Sequence, residues 1–177
     1  MSHSSSKGFT LIEIIVTVTI IAIIFSIGAT GFNRMNSNSN LNAALQNMAS
    51  DISITALSAL HSDTFQLQTP ANWGVNLAIG SNSYTVFADF DNDSVYDTNE
   101  KFKTVLIGRN ISITSICFTV CASLDGALTF DVPSAVPSYQ GTPITTATDD
   151  LTIELTDAIS GQVKHVSVNT FGAVSIE

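Results

Sequence analysis

Residues 9–29 form an apolar run broken by one charge, Glu13, and this run constrains the chain more than any other segment. It reads FTLIEIIVTVTIIAIIFSIGA and follows a short polar leader ending in Lys7-Gly8. About 20 apolar residues suffice for a helix to cross a bilayer, and Lys7 ahead of them suits a cytoplasmic N-terminus. The carboxylate is the oddity. Alone in hydrocarbon it would cost roughly 2.5–3.5 kcal/mol on insertion scales, so it needs a partner, and none is visible within the chain. A conventional secretory signal has a shorter apolar region, ends in a small-residue cleavage site, and would not carry an acid near its start. A plain membrane anchor gives no reason for Gly8-Phe9-Thr10-Leu11-Ile12-Glu13.

The junction Lys7-Gly8-Phe9, with Glu13 in the fifth place after Gly8, resembles the N-terminal signal of type IV pilin-like proteins. The resemblance implies cleavage between Gly8 and Phe9 by a prepilin peptidase and N-methylation of Phe9. It further implies a helix that sits first in the inner membrane and later packs in a filament with other pilin-like subunits. The missing partner of Glu13 is then the free amino group on the first residue of a neighbouring subunit.

The 177 residues leave room for one domain beyond this segment. Net charge is −9, from 15 acidic against 6 basic residues, and the basic ones are scattered: Lys7, Arg34, Lys101, Lys103, Arg109 and Lys164. Neutralising phosphates takes clustered Lys and Arg, so nucleic acid is not expected as a direct partner. Some relatives are linked to DNA uptake through basic C-terminal regions. This chain ends VKHVSVNTFGAVSIE, with one Lys and no Arg.

Leu41, Ala44, Leu45, Met48, Ile52, Ala56, Leu57 and Leu60 recur at spacings of three and four, which predicts an amphipathic helix from Phe32 to about Leu60. Gln46, Asn47, Asp51, Ser53 and Ser58 fill its other face. The NSNSN stretch, 36–40, is weakly helix-forming and predicts a pliable middle to one long helix. Beyond His61 the pattern turns to short β-rich runs separated by turn residues. Strands are expected at Thr64–Thr69, Trp73–Ile79, Ser83–Phe90, Phe102–Gly108, Ile111–Phe118, Ala127–Asp131, Leu151–Asp157, Gln162–Asn169 and Gly172–Ile176. The segment Pro133–Asp149 reads as an exposed loop with some strand character. The expected fold is α+β: leader 1–8, a helix over 9–60 with 9–29 transmembrane before assembly, and an antiparallel β domain over 61–177. This order, with FADFD (Phe87–Asp91) leading into an acidic turn and two strands joined at Ser160-Gly161, resembles minor pseudopilins of the FimT/GspH group.

Asp89 to Glu100 reads DFDNDSVYDTNE. Counted as a twelve-residue loop, it puts carboxylates at one (Asp89), three (Asp91), five (Asp93), nine (Asp97) and twelve (Glu100), with the Val95 carbonyl at seven. That is the spacing by which an EF-hand loop gathers hard oxygen ligands around Ca²⁺. Two departures stand out: position six is Ser94 rather than the Gly that gives a sharp φ > 0 turn, and the loop follows a strand rather than a helix. The competing reading is a solvated acidic turn, since Asp and Asn favour turns in any case. Zinc is disfavoured without His or Cys nearby.

Cys117 and Cys121 belong to a domain expected outside the cytoplasm, where disulfides persist. Along a straight strand their Cα atoms would be about 13 Å apart at ~3.3 Å per residue, beyond disulfide reach. A bridge therefore demands a turn or bulge between them, and two buried thiols are the alternative. No Ser-His-Asp set, HExxH or phosphate loop appears, and the chain reads as a non-enzyme.

The function expected is a structural subunit of a type IV pilus-like filament, added by an inner-membrane assembly platform. A minor pseudopilin or minor pilin of a type II secretion or type IV pilus system is favoured. A major pilin is the alternative within that class, and a membrane-anchored calcium-dependent binding module the alternative outside it.

Overall fold

The computed structural model describes residues 9–118, 120–122, 125–145 and 150–177, the side chains of 27–35, 37 and 120–122 excepted. The expected leader, 1–8, with Gly8, lies outside these residues, as does 146–149 of the expected loop. One helix, α1, runs Leu11–Leu60, and two antiparallel sheets follow it, so the fold is α+β. The chain divides into two compact units, Met1–Asn36 and Ser37–Glu177.

In the first unit every described side chain from Phe9 to Ser26 is exposed. Nothing in this unit shelters Leu11, Ile12, Ile20, Ile24 or Phe25, each more than half exposed. The threonines in the run turn inward on the helix: the Thr17 hydroxyl donates to the Glu13 and Ile14 carbonyls (3.0 and 2.9 Å) and Thr19 to Ile15 (2.7 Å). Bonded to the backbone in this way, they present no unpaired donor to an apolar surrounding. Among the described residues no helix is long and apolar enough to cross a membrane. The expected membrane segment extends into 27–29, whose side chains are not described.

In the second unit the C-terminal half of α1 packs on the sheets through Leu41, Ala44, Leu45, Met48, Ile52 and Ala59, all buried. The stripe departs from expectation at its end. Thr55 occupies the buried position after Ile52, its hydroxyl donating to the Asp51 carbonyl at 2.7 Å, while Leu57 and Leu60 are half exposed on the flank. The reason is the 3.6-residue period: 41, 45, 48, 52, 55 and 59 hold one line, and 57 and 60 drift off it.

The strands are β1 (Asn72–Leu77), β2 (Ser83–Asp89), β3 (Lys101–Leu106), β4 (Ile111–Phe118), β5 (Val120–Ala122), β6 (Gly126–Asp131), β7 (Pro137–Tyr139), β8 (Thr142–Pro143), β9 (Leu151–Asp157), β10 (Val163–Val168) and β11 (Val174–Ile176). They form a six-stranded sheet in the order β3-β2-β1-β6-β7-β8 and a five-stranded sheet in the order β11-β10-β9-β4-β5. In β9, Leu151, Ile153, Leu155 and Asp157 are buried and the residues between them half-buried, the two-residue alternation of a strand with one face on a core. At β1 the core approaches closely. A Cβ on Gly74 would lie 2.5 Å from the Phe87 ring and 3.0 Å from Thr129, so only glycine fits there.

Three expected features differ. Thr64–Thr69 is not a strand but a two-residue hairpin turn closed by Phe65 and Gln68 (2.9 and 3.0 Å). Its central residues, Gln66 (φ 53°) and Leu67 (φ 64°), both adopt the left-handed conformation, at a cost of about 1–2 kcal/mol per residue. Inside Pro133–Asp149 the expected strand character is found, as β7 and β8, but the expected exposure is not, since β7 is buried. Pro143 sits on the edge strand, where a missing N–H breaks no ladder. The third is β5, which pairs with β4 in a tight hairpin that sets Cys117 directly opposite Cys121.

Candidate functional site

At the start of the helix, Thr10 and Glu13 form a reciprocal pair. The Thr10 N–H points to Glu13 Oε2 at 3.5 Å and the Glu13 N–H to Thr10 Oγ1 at 3.4 Å. This is a capping box, in which two orphan donors of the first turn find side-chain acceptors. The T-x-x-E spacing was there to be read in the sequence. It corrects the expectation that Glu13 lacks any partner within the chain. Both contacts are long, and Glu13 and Phe9 are exposed, so the carboxylate keeps open acceptor positions for a stronger cationic partner.

The acidic loop joins β2 to β3 across the edge of the six-stranded sheet. Asp89, fully buried at the end of β2, organises it. Its Oδ1 accepts from the Asn92 N–H (2.6 Å) and its Oδ2 from the Ser94 N–H (3.0 Å) and the Asn72 side-chain amide (2.8 Å). The same amide reaches Asn92 Oδ1 at 2.8 Å, which fixes β1 to the loop. These bonds curl the chain so that Asn92 (φ 66°) and Ser94 (φ 59°) are left-handed. Ser94 thus adopts the turn for which glycine was expected. The curl brings carboxylate oxygens of Asp89, Asp91 and Asp93 within 4.8 Å of one another. Ligands around one Ca²⁺ at 2.3–2.6 Å stand up to roughly 5 Å apart, so this trio fits one ion.

The other two carboxylates have different duties. Thr98–Glu100 is a single 3-10 turn with Asp97 as its N-cap. Glu100, buried, accepts from the Phe90 N–H at 2.8 Å and the Asp97 N–H at 3.3 Å. Neither Asp97 nor Glu100 belongs to the trio, and Val95 contributes its N–H to Asp93 Oδ1 at 2.7 Å. The loop stores repulsion. Asp91 is held above the usual carboxylate range by desolvation, then by the Asp93 charge, with Asp89 and Asp97 adding to it. Burial raises Glu100 in the same sense, with contributions from Asp89 and Asp91, although its two backbone bonds act against the rise.

A second polar cluster went unnoticed in the sequence. Asp51, assigned there to the solvent face of the helix, accepts from the Tyr84 hydroxyl at 2.7 Å and pairs with Lys103 at 2.6 Å. It clamps α1 to β2 and β3. A lone acid in the polar face of an amphipathic helix gives no signal of partners 33 and 52 residues away.

Residues 3–29 match the family model of the prokaryotic N-terminal methylation motif. No curated protein and no solved structure matches the chain. The match is confined to this N-terminal segment, where it supports prepilin processing, methylation and assembly with other pilin subunits, as in type IV pilin-like proteins.

Proposed function

We propose that this type IV pilin-like chain is a minor subunit of a type II secretion pseudopilus or type IV pilus. The observation that carries the reading is the exposed apolar segment from Phe9 to Ser26, helical from Leu11, with Glu13 as its one acid. Exposed apolar surface on this scale marks a segment that ends against lipid or against other protein. A helix apolar on all sides suits both settings in turn. Before assembly the segment spans the inner membrane with the β domain outside the cytoplasm. After prepilin peptidase removes 1–8, the new Phe9 amine and Glu13 give each subunit one cation and one anion near the helix start. A salt bridge between successive subunits then replaces the Thr10 contact and sets the register, as the inner-membrane platform draws each helix into the bundle. The minor role rests on the resemblance of the β domain's element order to the FimT/GspH group. Gly8→Val should leave uncleaved precursor in the membrane fraction; recovery of mature-size chain from that variant would sink the reading.

Within the same subunit we infer that Asp89, Asp91 and Asp93 bind Ca²⁺, with Glu100 joining only by giving up its bonds to the Phe90 and Asp97 N–H groups. The support is the 4.8 Å grouping and the left-handed Ser94. Cys117 and Cys121, directly opposite in the β4–β5 hairpin, are proposed to form a bridge that staples this edge. Non-reducing peptide mapping that recovered the two cysteines as thiols would overturn it.

A further inference from the structure

On the outward face of the five-stranded sheet, strand register brings together side chains that are far apart in the sequence. Leu151, Ile153 and Leu155 of β9 turn into the core, so Glu154 and Thr156 point outward. Residues directly opposite on neighbouring strands share a face, and His165 of β10 lies opposite Glu154. On its other side His165 exchanges two backbone hydrogen bonds with Glu177, just after β11, both at 3.0 Å. At one level of the sheet an imidazole therefore stands between two carboxylates carried by the flanking strands. Because the His165 N–H and C=O are both spent on Glu177, its pairing with Glu154 is of the kind without hydrogen bonds, in which side chains approach more closely.

Glu154 and His165 are oriented toward each other but not bonded. The ladder between β4 and β9 shifts register between Ile113 and Ser115, which leaves Thr114 as an extra residue. Its hydroxyl donates to Glu154 Oε1 at 2.9 Å and lies 2.8 Å from Thr156 Oγ1. The other carboxylate oxygen, Oε2, is left 3.9 Å from His165 Nδ1, too far for a hydrogen bond. That nitrogen is buried and has no hydrogen-bond partner, an arrangement that costs free energy as it stands. Zn²⁺ takes imidazole nitrogen and carboxylate oxygen at about 2.0–2.2 Å, so two such ligands at a tetrahedral angle stand roughly 3.4 Å apart. The pair needs only a small closure to share one ion. Glu177 is exposed at the sheet edge and has to swing inward, since the three residues do not group within 4.8 Å.

We propose that Glu154, His165 and Glu177 bind a divalent cation of the borderline class, of which Zn²⁺ is the representative, with water completing its shell. Imidazole suits Zn²⁺, Cu²⁺ and Ni²⁺ rather than Ca²⁺, so this site is distinct in chemistry from the acidic loop. Thr114 acts behind the ligands, holding the Glu154 carboxylate in place. The ion ties three strands together, and β11, which only β10 holds in the sheet, gains most. The test titrates the full chain in detergent with Zn²⁺ against a chromophoric chelator, without reductant. It uses the Asp91→Ala/Asp93→Ala background, so that the acidic loop does not compete. One Zn²⁺ per chain should bind, and the melting temperature should rise. His165→Gln, Glu154→Gln and Glu177→Gln should each weaken binding tenfold or more, and Thr114→Val about tenfold. His165→Gln should also abolish the rise in melting temperature. No uptake of Zn²⁺ overturns the proposal and leaves His165 as the cross-strand partner of Glu154. Uptake unchanged in His165→Gln and Glu154→Gln overturns it as well, as an adventitious ion only. Affinity unchanged in Glu177→Gln overturns the three-residue site.

Discussion

At the scale of single residues, the chain places its few polar groups where their absence would be felt. Glu13 is the clearest case. Its Thr10 contacts are long, and a carboxylate buried with only those partners is strongly unfavourable; in the proposed filament its counter-charge is the Phe9 amine of a neighbouring subunit. Glu13→Leu should therefore leave a stable, membrane-fractionating chain that fails to enter filaments, and Glu13→Gln should fail similarly because it lacks the charge. Filaments of either variant at wild-type yield, counted after shearing, would remove the register role. Tyr139 offers a test of the β domain. Burial, then the Asp125 charge, raises its phenol from the ordinary 10.0 to about 12, the Gln140 bond acting weakly the other way. Burial and the Asp51 bond raise Tyr84 as well. A folded pKa above the unfolded one means the native state keeps its proton longer, so the associated stability is intact below pH 10 and lost as the pH climbs toward 12. Chemical denaturation midpoints should fall over that interval, and Tyr139→Phe should flatten the fall. An unchanged slope in that variant would contradict the assignment.

At the scale of elements, the acidic loop carries both structure and a proposed ligand. Without a cation, Asp91 and Asp93 repel at the loop tip while Asp89 is committed to three hydrogen bonds. Ca²⁺ held only by the folded state adds RT ln(1 + [Ca²⁺]/Kd), about 2.7 kcal/mol at a hundredfold excess over Kd. With three carboxylates gathered rather than five, affinity in the extracellular range of roughly 10⁻⁴–10⁻³ M is expected. The melting temperature of the chain should rise in millimolar Ca²⁺ relative to EGTA, and Asp91→Ala/Asp93→Ala should abolish the rise. No difference between the two buffers would return the loop to an acidic turn stabilised by Asp89. The sequence spacing predicted the three clustered carboxylates but not the fate of Glu100, because one carboxylate can close a metal site or a capping box with the same residues around it. The turn at Gln66-Leu67 was illegible for a related reason: nothing in the local residues favours left-handed backbone, and only the packing of Phe65 beneath it imposes the turn.

At the scale of the whole molecule, the order of long helix followed by antiparallel strands was legible because each period, 3.6 or 2, is written in the apolar residues. Leu151–Asp157 coincides with its expected bounds since it alternates cleanly, and Ile111–Phe118 coincides with its own although its register shifts between Ile113 and Ser115. Strands β5, β7 and β8 were not legible, being two or three residues long and formed by hairpin closure rather than by pattern. The drift of Leu57 and Leu60 was not legible because polar Thr55 holds the buried position that an apolar residue would have marked. The N-terminal motif was the most legible of all, since Gly8-Phe9 and Glu13 lie in a run that matches the methylation-motif model over residues 3–29. The most direct measurement is intact-mass spectrometry of filaments sheared from the native host. The chain should be present in them without residues 1–8 and with one added methyl group on Phe9. Filaments that lack the chain, while its unprocessed precursor accumulates in the membrane, would contradict the account.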